Sequence, residues 1–168
     1  MTELDQVWSK MLGDAASEAG QSGRRGVADY LRLRATNDAI RAAGVQWLFD
    51  AMIEIAGVEM GKRVGISIER EEPYNFARGS SNMVGSLLEV RQGVRCLTVE
   101  AGWARVPADG IMYAGALAYA RIRHFGIPRA GRELRLVHAD ILPSWLGEDD
   151  AVIDSHELRR HVELLLGV

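Results

Sequence analysis

The chain has 168 residues, 48% of them hydrophobic and 26% charged, with a formal net charge of −3 and a single cysteine, Cys96. That length suits one domain with a real core, and the mix excludes a disordered tail or a disulfide scaffold. The acidic balance argues against a nucleic-acid partner. No apolar run approaches the ~20 residues needed to span a bilayer, and the N-terminus MTELDQVW lacks the positive charge of a secretory leader. A cytoplasmic protein is expected, with no membrane partner.

Taken in chain order, Leu4, Val7, Trp8, Met11, Leu12, Ala15 and Ala19 fall at helical spacing behind a possible Thr2 cap. The stretch 20-GQSGRRG-26 breaks that helix and reads as a linker. Residues 1–26 are therefore expected to form an amphipathic helix plus linker, with 27–168 as a single α+β domain. A short helical piece near 27–34 precedes a longer helix capped by Thr36 or Asn37 and ending near Gly57 or Gly61.

Val64, Ile66 and Ile68 alternate as a half-buried strand, and 71-EEPYNFARGSSN-82 has the composition of a loop. Two further apolar runs flank Gln92-Gly93, which predicts a tight hairpin. The stretch 109–125 is ambiguous: its alanines alternate, but Asp109, Gly126 and Pro128 bracket it as helix boundaries, and helix is the expectation. A strand at about 133–138 follows. Asp154 and Glu157 then frame the start of a C-terminal helix. The fold class is α+β: N-terminal helices, an antiparallel β-meander with a further strand, and a C-terminal helix.

The hairpin carries the sharpest candidate. A turn at Gln92-Gly93 sets Glu89 opposite Cys96 and Gly85 opposite Glu100. Leu88, Val90, Leu97 and Val99 then share an apolar face, with Glu89, Cys96, Thr98 and Glu100 on the other. In this register Glu89 stands about four residues, or ~13 Å, from Glu100, too far for one Mg²⁺ to bridge. His138 and Asp140 share one face at the end of the 133–138 strand, where a carboxylate could orient an imidazole as base or metal ligand.

Other motifs fail on spacing. In 156-HELRRH-161 the histidines are five apart and point ~140° from one another on a helix, so they cannot share a metal. His161 falls instead in the Leu158/Val162/Leu165 stripe, as a hydrogen-bonded core or interface histidine. The stretch 77-ARGSSNMVGS-86 matches no phosphate-loop pattern and reads as a strand connection. The arginines of 121-RIRHFGIPRAGRELR-135 would make a basic ribbon only if the segment were a β-hairpin, and the helix expected at 109–125 excludes that.

From residue 37 onward the expected order of helix, three strands, helix, strand resembles the core of the PD-(D/E)xK nuclease-like fold. In motif the resemblance rests on Glu100. Gly102 stands where that family carries lysine, and no Asp precedes Glu100 on the partnering strand. The resemblance implies a degenerate nuclease-like or metal-assisted hydrolytic site.

Catalysis needs several titratable groups in one cleft, and the sequence supplies isolated ones. The favoured reading is a non-enzymatic binding or interaction module, a homodimer or a binder of a protein partner through the N-terminal helix, without cofactor or metal. Trp8, Tyr30, Tyr74, Phe76, Trp103 and Trp145 are its candidate contact aromatics. The alternative is a metal-assisted hydrolase using Glu100 or His138 with Asp140.

Overall fold

A computed structural model describes residues 3–61, 64–138 and 143–167. Helices α1 (Glu3–Gln21) and α2 (Arg25–Met60) are followed by strands β1 (Ile66–Arg78), β2 (Ser81–Gln92), β3 (Arg95–Trp103), β4 (Ala118–His124), β5 (Arg132–Val137) and β6 (Ser144–Leu146), then helix α3 (Ser155–Leu166). The six strands form one antiparallel sheet in sequence order. This is the expected α+β meander. Thr2, the proposed first cap, lies outside the described residues.

The break between α1 and α2 is shorter than the sequence suggests. Only Ser22–Arg24 interrupt the helices, with Gly23 taking a positive φ of 75°. Arg24 N–H donates to the Ala19 carbonyl at 2.9 Å and Ser22 Oγ to that of Glu18 at 2.8 Å, which closes the helix end without a longer linker. The two helices pack as an antiparallel pair that buries Leu12, Ala16 and Ala19 of α1 and Ala28 of α2.

Helix α2 is one 36-residue element rather than two pieces, about 54 Å long at 1.5 Å per residue. Thr36 does not cap. Its hydroxyl donates back to the Arg32 carbonyl four residues earlier at 3.0 Å, so the helix runs through. Alanine, leucine and arginine dominate that stretch and favour helix intrinsically, and Arg41 bridges Asp38 one turn back at 2.7 Å.

The C-terminal half of α2 presents Val45, Leu48, Phe49, Met52 and Ile55 to the sheet. Leu158, Val162 and Leu165 of α3 complete the same core layer against Leu88, Val90, Leu97, Val99, Ile122 and Leu136. The face assignment of the β2–β3 hairpin is thus as expected, although its turn is Gly93-Val94, one residue later. Gly93 takes the positive φ at the first turn position, where a two-residue hairpin places glycine. Ladder partners move by two, which preserves the faces: Glu89 now opposes Thr98, and Leu87 opposes Glu100.

Three segments differ from expectation. Residues 71–82 are not a loop: β1 continues to Arg78 and turns into β2 at Gly79-Ser80, absorbing Glu72-Pro73 at a shift in register. Pro73 is tolerated because β1 is the sheet edge, where a missing N–H costs no ladder bond. Residues 109–125 are not a helix. Positive φ at Gly110, Ala114 and Gly115 blocks one, and the alternation of Ala118, Ala120 and Ile122 (core) with Tyr119, Arg121 and Arg123 (opposite face) makes β4. The observed order is therefore an uninterrupted meander, without the second helix on which the nuclease-like resemblance drew. Finally, 121–135 is a β-hairpin after all, but both its strands lie inside the sheet.

Strands β2 and β3 approach closely at one end of the hairpin. Gly85 and Gly102 are direct ladder partners. A Cβ on Gly85 would collide with the Ala101 carbonyl, and one on Gly102 would come within 2.6 Å of the Val84 oxygen. This close approach lets the β1–β2 tip curl over the face opposite the helices. There Phe76, Met83, Ala116 and Tyr119 form a second small core.

Candidate functional site

Glu100 sits on that second face, only 5% exposed. Register places it opposite Arg121, with Arg123 two residues along the same strand face. Arg123 Nη2 donates to Glu100 Oε1 at 2.6 Å, and Arg121 Nη1 approaches the same oxygen at 3.3 Å. Arg121 Nε also lies 3.4 Å from Glu133, which in turn pairs with Arg78 at 3.2 Å. Arg121 donates to the Ala77 carbonyl at 3.1 Å, and the Arg78 guanidinium stacks 3.8 Å over the Tyr119 ring. The result is a line of ion pairs, Arg123–Glu100–Arg121–Glu133–Arg78, that ties the β1–β2 hairpin tip to β4 and β5. Both guanidinium contacts to Glu100 fall on Oε1, so two cations share one oxygen of the carboxylate.

Four of the five arginines of the would-be basic ribbon are paired with carboxylates. Arg121 and Arg123 are answered by Glu100 and Glu133, Arg132 approaches Glu157 at 3.7 Å, and Arg135 pairs with Asp150.

His138 is exposed just beyond the end of β5, and Asp140 lies outside the described residues. Along β5, Glu133 stands opposite Arg121, and His138 is five residues further on, about 16 Å at 3.3 Å per residue. Glu100 and His138 are therefore not brought into one cleft. Glu89 is closer than expected, two ladder steps from Glu100, but Arg91 holds its carboxylate at 2.9 Å. Among the described residues no three His, Cys, Asp or Glu side chains are grouped to hold a metal.

The structure assembles a different pair. His161 on α3 is buried, as its place in the apolar stripe predicts, and its Nδ1 lies 2.9 Å from Nε2 of His124 on β4. The rings stack with centroids 5.2 Å apart. Burial, reinforced by the neighbouring His124, lowers the His161 pKa to about 4, and burial also lowers that of His124. In the neutral pair one ring N–H donates to the bare nitrogen of the other. Alternation along 118–124 was the signal that could have found His124, since it sets His124 on the core face with Ile122. Cys96 is buried on the other face, and desolvation pushes its thiol pKa up, so it is not an activated nucleophile.

The aromatics divide in two. Trp103 and Trp145 belong to the main core, while Phe76 and Tyr74 belong to the second. Trp8 and Tyr30 remain exposed on the helical pair, with the Arg34 guanidinium 5.3 Å from the Trp8 ring centroid. Comparison with known proteins finds no match to any protein family, curated protein or solved structure.

Proposed function

We propose that this protein is a non-enzymatic interaction module that binds a second copy of itself through the α1–α2 helical pair. The observation that carries the reading is the apolar surface left outside that pair. Val7 and Met11 of α1 are 52% and 57% exposed, and Tyr30 and Leu33 of α2 are each 60% exposed. Helical geometry sets Val7 and Met11 one turn apart, about 80–180° around α1 from the buried Leu12/Ala16/Ala19 stripe, so they point away from α2. Exposed apolar surface of this kind, rimmed by polar residues, is the signature of a protein-contact site.

Charge supports a like partner. Helix α1 carries Asp14 and Glu18 in its second half, whereas residues 24–41 carry five arginines against Asp29 and Asp38. The acidic helix of one copy thus complements the basic helix of another. Asp14, Glu18 and Arg25 have no ionic partner among the described residues.

The test is sedimentation equilibrium on the full chain and on the double variant Met11→Glu, Tyr30→Glu, with circular dichroism as a fold control. Both positions are exposed, so the variant should fold. A wild-type dimer and a folded variant monomer are expected. A wild-type protein that stays monomeric into the high micromolar range rejects self-association.

A further inference from the structure

A hollow opens on the helix side of the sheet. It lies between α2, the β5–β6 edge and the entry to α3, and encloses about 430 Å³. That falls within the ~300–1,000 Å³ range of small-molecule sites. Its walls are Ile40 and Trp47 of α2, Leu136 of β5, Trp145 of β6, and Ile153.

The floor is apolar and already satisfied. The Trp145 indole N–H donates to the Gly44 carbonyl at 2.9 Å, so the deepest polar donor has its partner. Gly44 lets α2 come close to Leu136, since any Cβ there would press on the Leu136 side chain. A polar group pushed into this floor would lose water and gain no hydrogen bond. The body of any ligand must therefore be apolar, and Trp47, 42% exposed at the rim, offers it a ring face.

The mouth fixes the sign of the head group. Among the described residues, Asp154 is the one ionisable side chain that lines it, beside Ser144 and Ser155. Asp154 is exposed and caps α3 through one oxygen, accepting from Glu157 N–H at 2.9 Å. The positive end of the α3 dipole lies at the same mouth, but its charge of about half a unit is outweighed by the Asp154 carboxylate, so an anionic amphiphile would meet net like charge. A protonated amine meets a carboxylate and indole π-faces.

We infer that this hollow is a binding site for a small hydrophobic amine, with the apolar body on Leu136 and Trp145 and the ammonium toward Asp154. The test uses 1-naphthylmethylammonium and 1-naphthylacetate, which share a ring system and carry opposite charges. Each is titrated calorimetrically into the full chain, and the Trp47 and Trp145 indole signals are followed by NMR. The ammonium should bind about three- to tenfold tighter than the carboxylate, the scale of one exposed ion pair plus a cation–π contact.

Asp154→Asn keeps a capping side chain and should erase that preference while preserving the fold. Ala43→Phe, at an exposed position lining the hollow, should abolish binding of both probes. Absence of binding, an equal or stronger affinity for the carboxylate, or binding that survives Ala43→Phe each overturns the assignment.

Discussion

His124 Nε2 and His161 Nδ1 stand 2.9 Å apart with both residues buried, which couples the C-terminal helix to the centre of the sheet through one proton. In the unfolded chain both imidazoles titrate near 6.5. In the native state burial lowers both, His161 to about 4. Between those values the unfolded state binds protons that the native state refuses, so stability rises with pH through this window. The contribution is complete above about pH 7 and is lost progressively as pH falls from 6.5 toward 4. Glu157 on the His161 helix partly offsets the depression, whereas Arg132 and Arg160 reinforce it. Urea unfolding at pH 7 and pH 5 should differ by about 2 kcal/mol on this account. The difference should shrink in His161→Gln, and an unchanged pH slope in that variant would contradict the coupling.

Glu100→Gln removes the charge that two arginines share while keeping the side-chain shape. Glu100 is buried, but Arg123 is about half exposed, so the loss is screened on one side. A decrease of about 1–3 kcal/mol is expected, seen as a fall of several degrees in the unfolding midpoint. Because the network pins the β1–β2 tip through Glu133 and Arg78, amide exchange should quicken at residues 76–83. A variant as stable as wild type with unchanged exchange there would show the network to be ornamental to the fold.

The facing glycines make a sharper test. Ala at position 85 would push its methyl into the Ala101 carbonyl, a backbone atom that cannot swing aside. Gly85→Ala should cost about 3 kcal/mol, within the usual overpacking range. Gly13→Ala, mid-helix in α1 with nothing within 4 Å of the new methyl, should instead stabilise by about 0.5–1 kcal/mol. Thermal unfolding of the two variants side by side checks the opposite signs.

The sequence made the sheet faces legible and some of its boundaries illegible, for physical reasons. Faces follow from period-2 alternation, and a turn misplaced by one residue moves ladder partners by two, so Leu88, Val90, Leu97 and Val99 stayed together. Residues 109–125 offered helix boundaries at both ends. What excludes the helix is the backbone at Gly110, Ala114 and Gly115 and the pairing of Arg121 with Glu100, a long-range contact that no local spacing displays. The same misreading hid His124. The burial of His161 was readable from its stripe on α3, but its partner required knowing that 118–124 is a strand with His124 on the core face. Glu100 was readable as lying on the non-core face of its strand, but its two arginine partners were not.

The cap of α3 gives the last prediction. Helix α3 has only 12 residues, and its N-terminal amides are left without intrahelical acceptors. Asp154 satisfies one of them through the bond to Glu157 N–H, and its charge lies at the positive end of the helix dipole. At the other end Gly167 closes the helix with a positive φ of 74°. Asp154→Ala should therefore cost about 1 kcal/mol, whereas Asp154→Asn, which keeps an acceptor oxygen, should cost a few tenths at most. Because His161 lies two turns into this helix, fraying its start should also loosen the histidine pair. The pH dependence of Asp154→Ala should then flatten toward that of His161→Gln. Denaturant unfolding of the alanine and asparagine variants at pH 7 and pH 5 separates the two effects. Equal losses in both variants at both pH values would show that α3 is held by its apolar face alone.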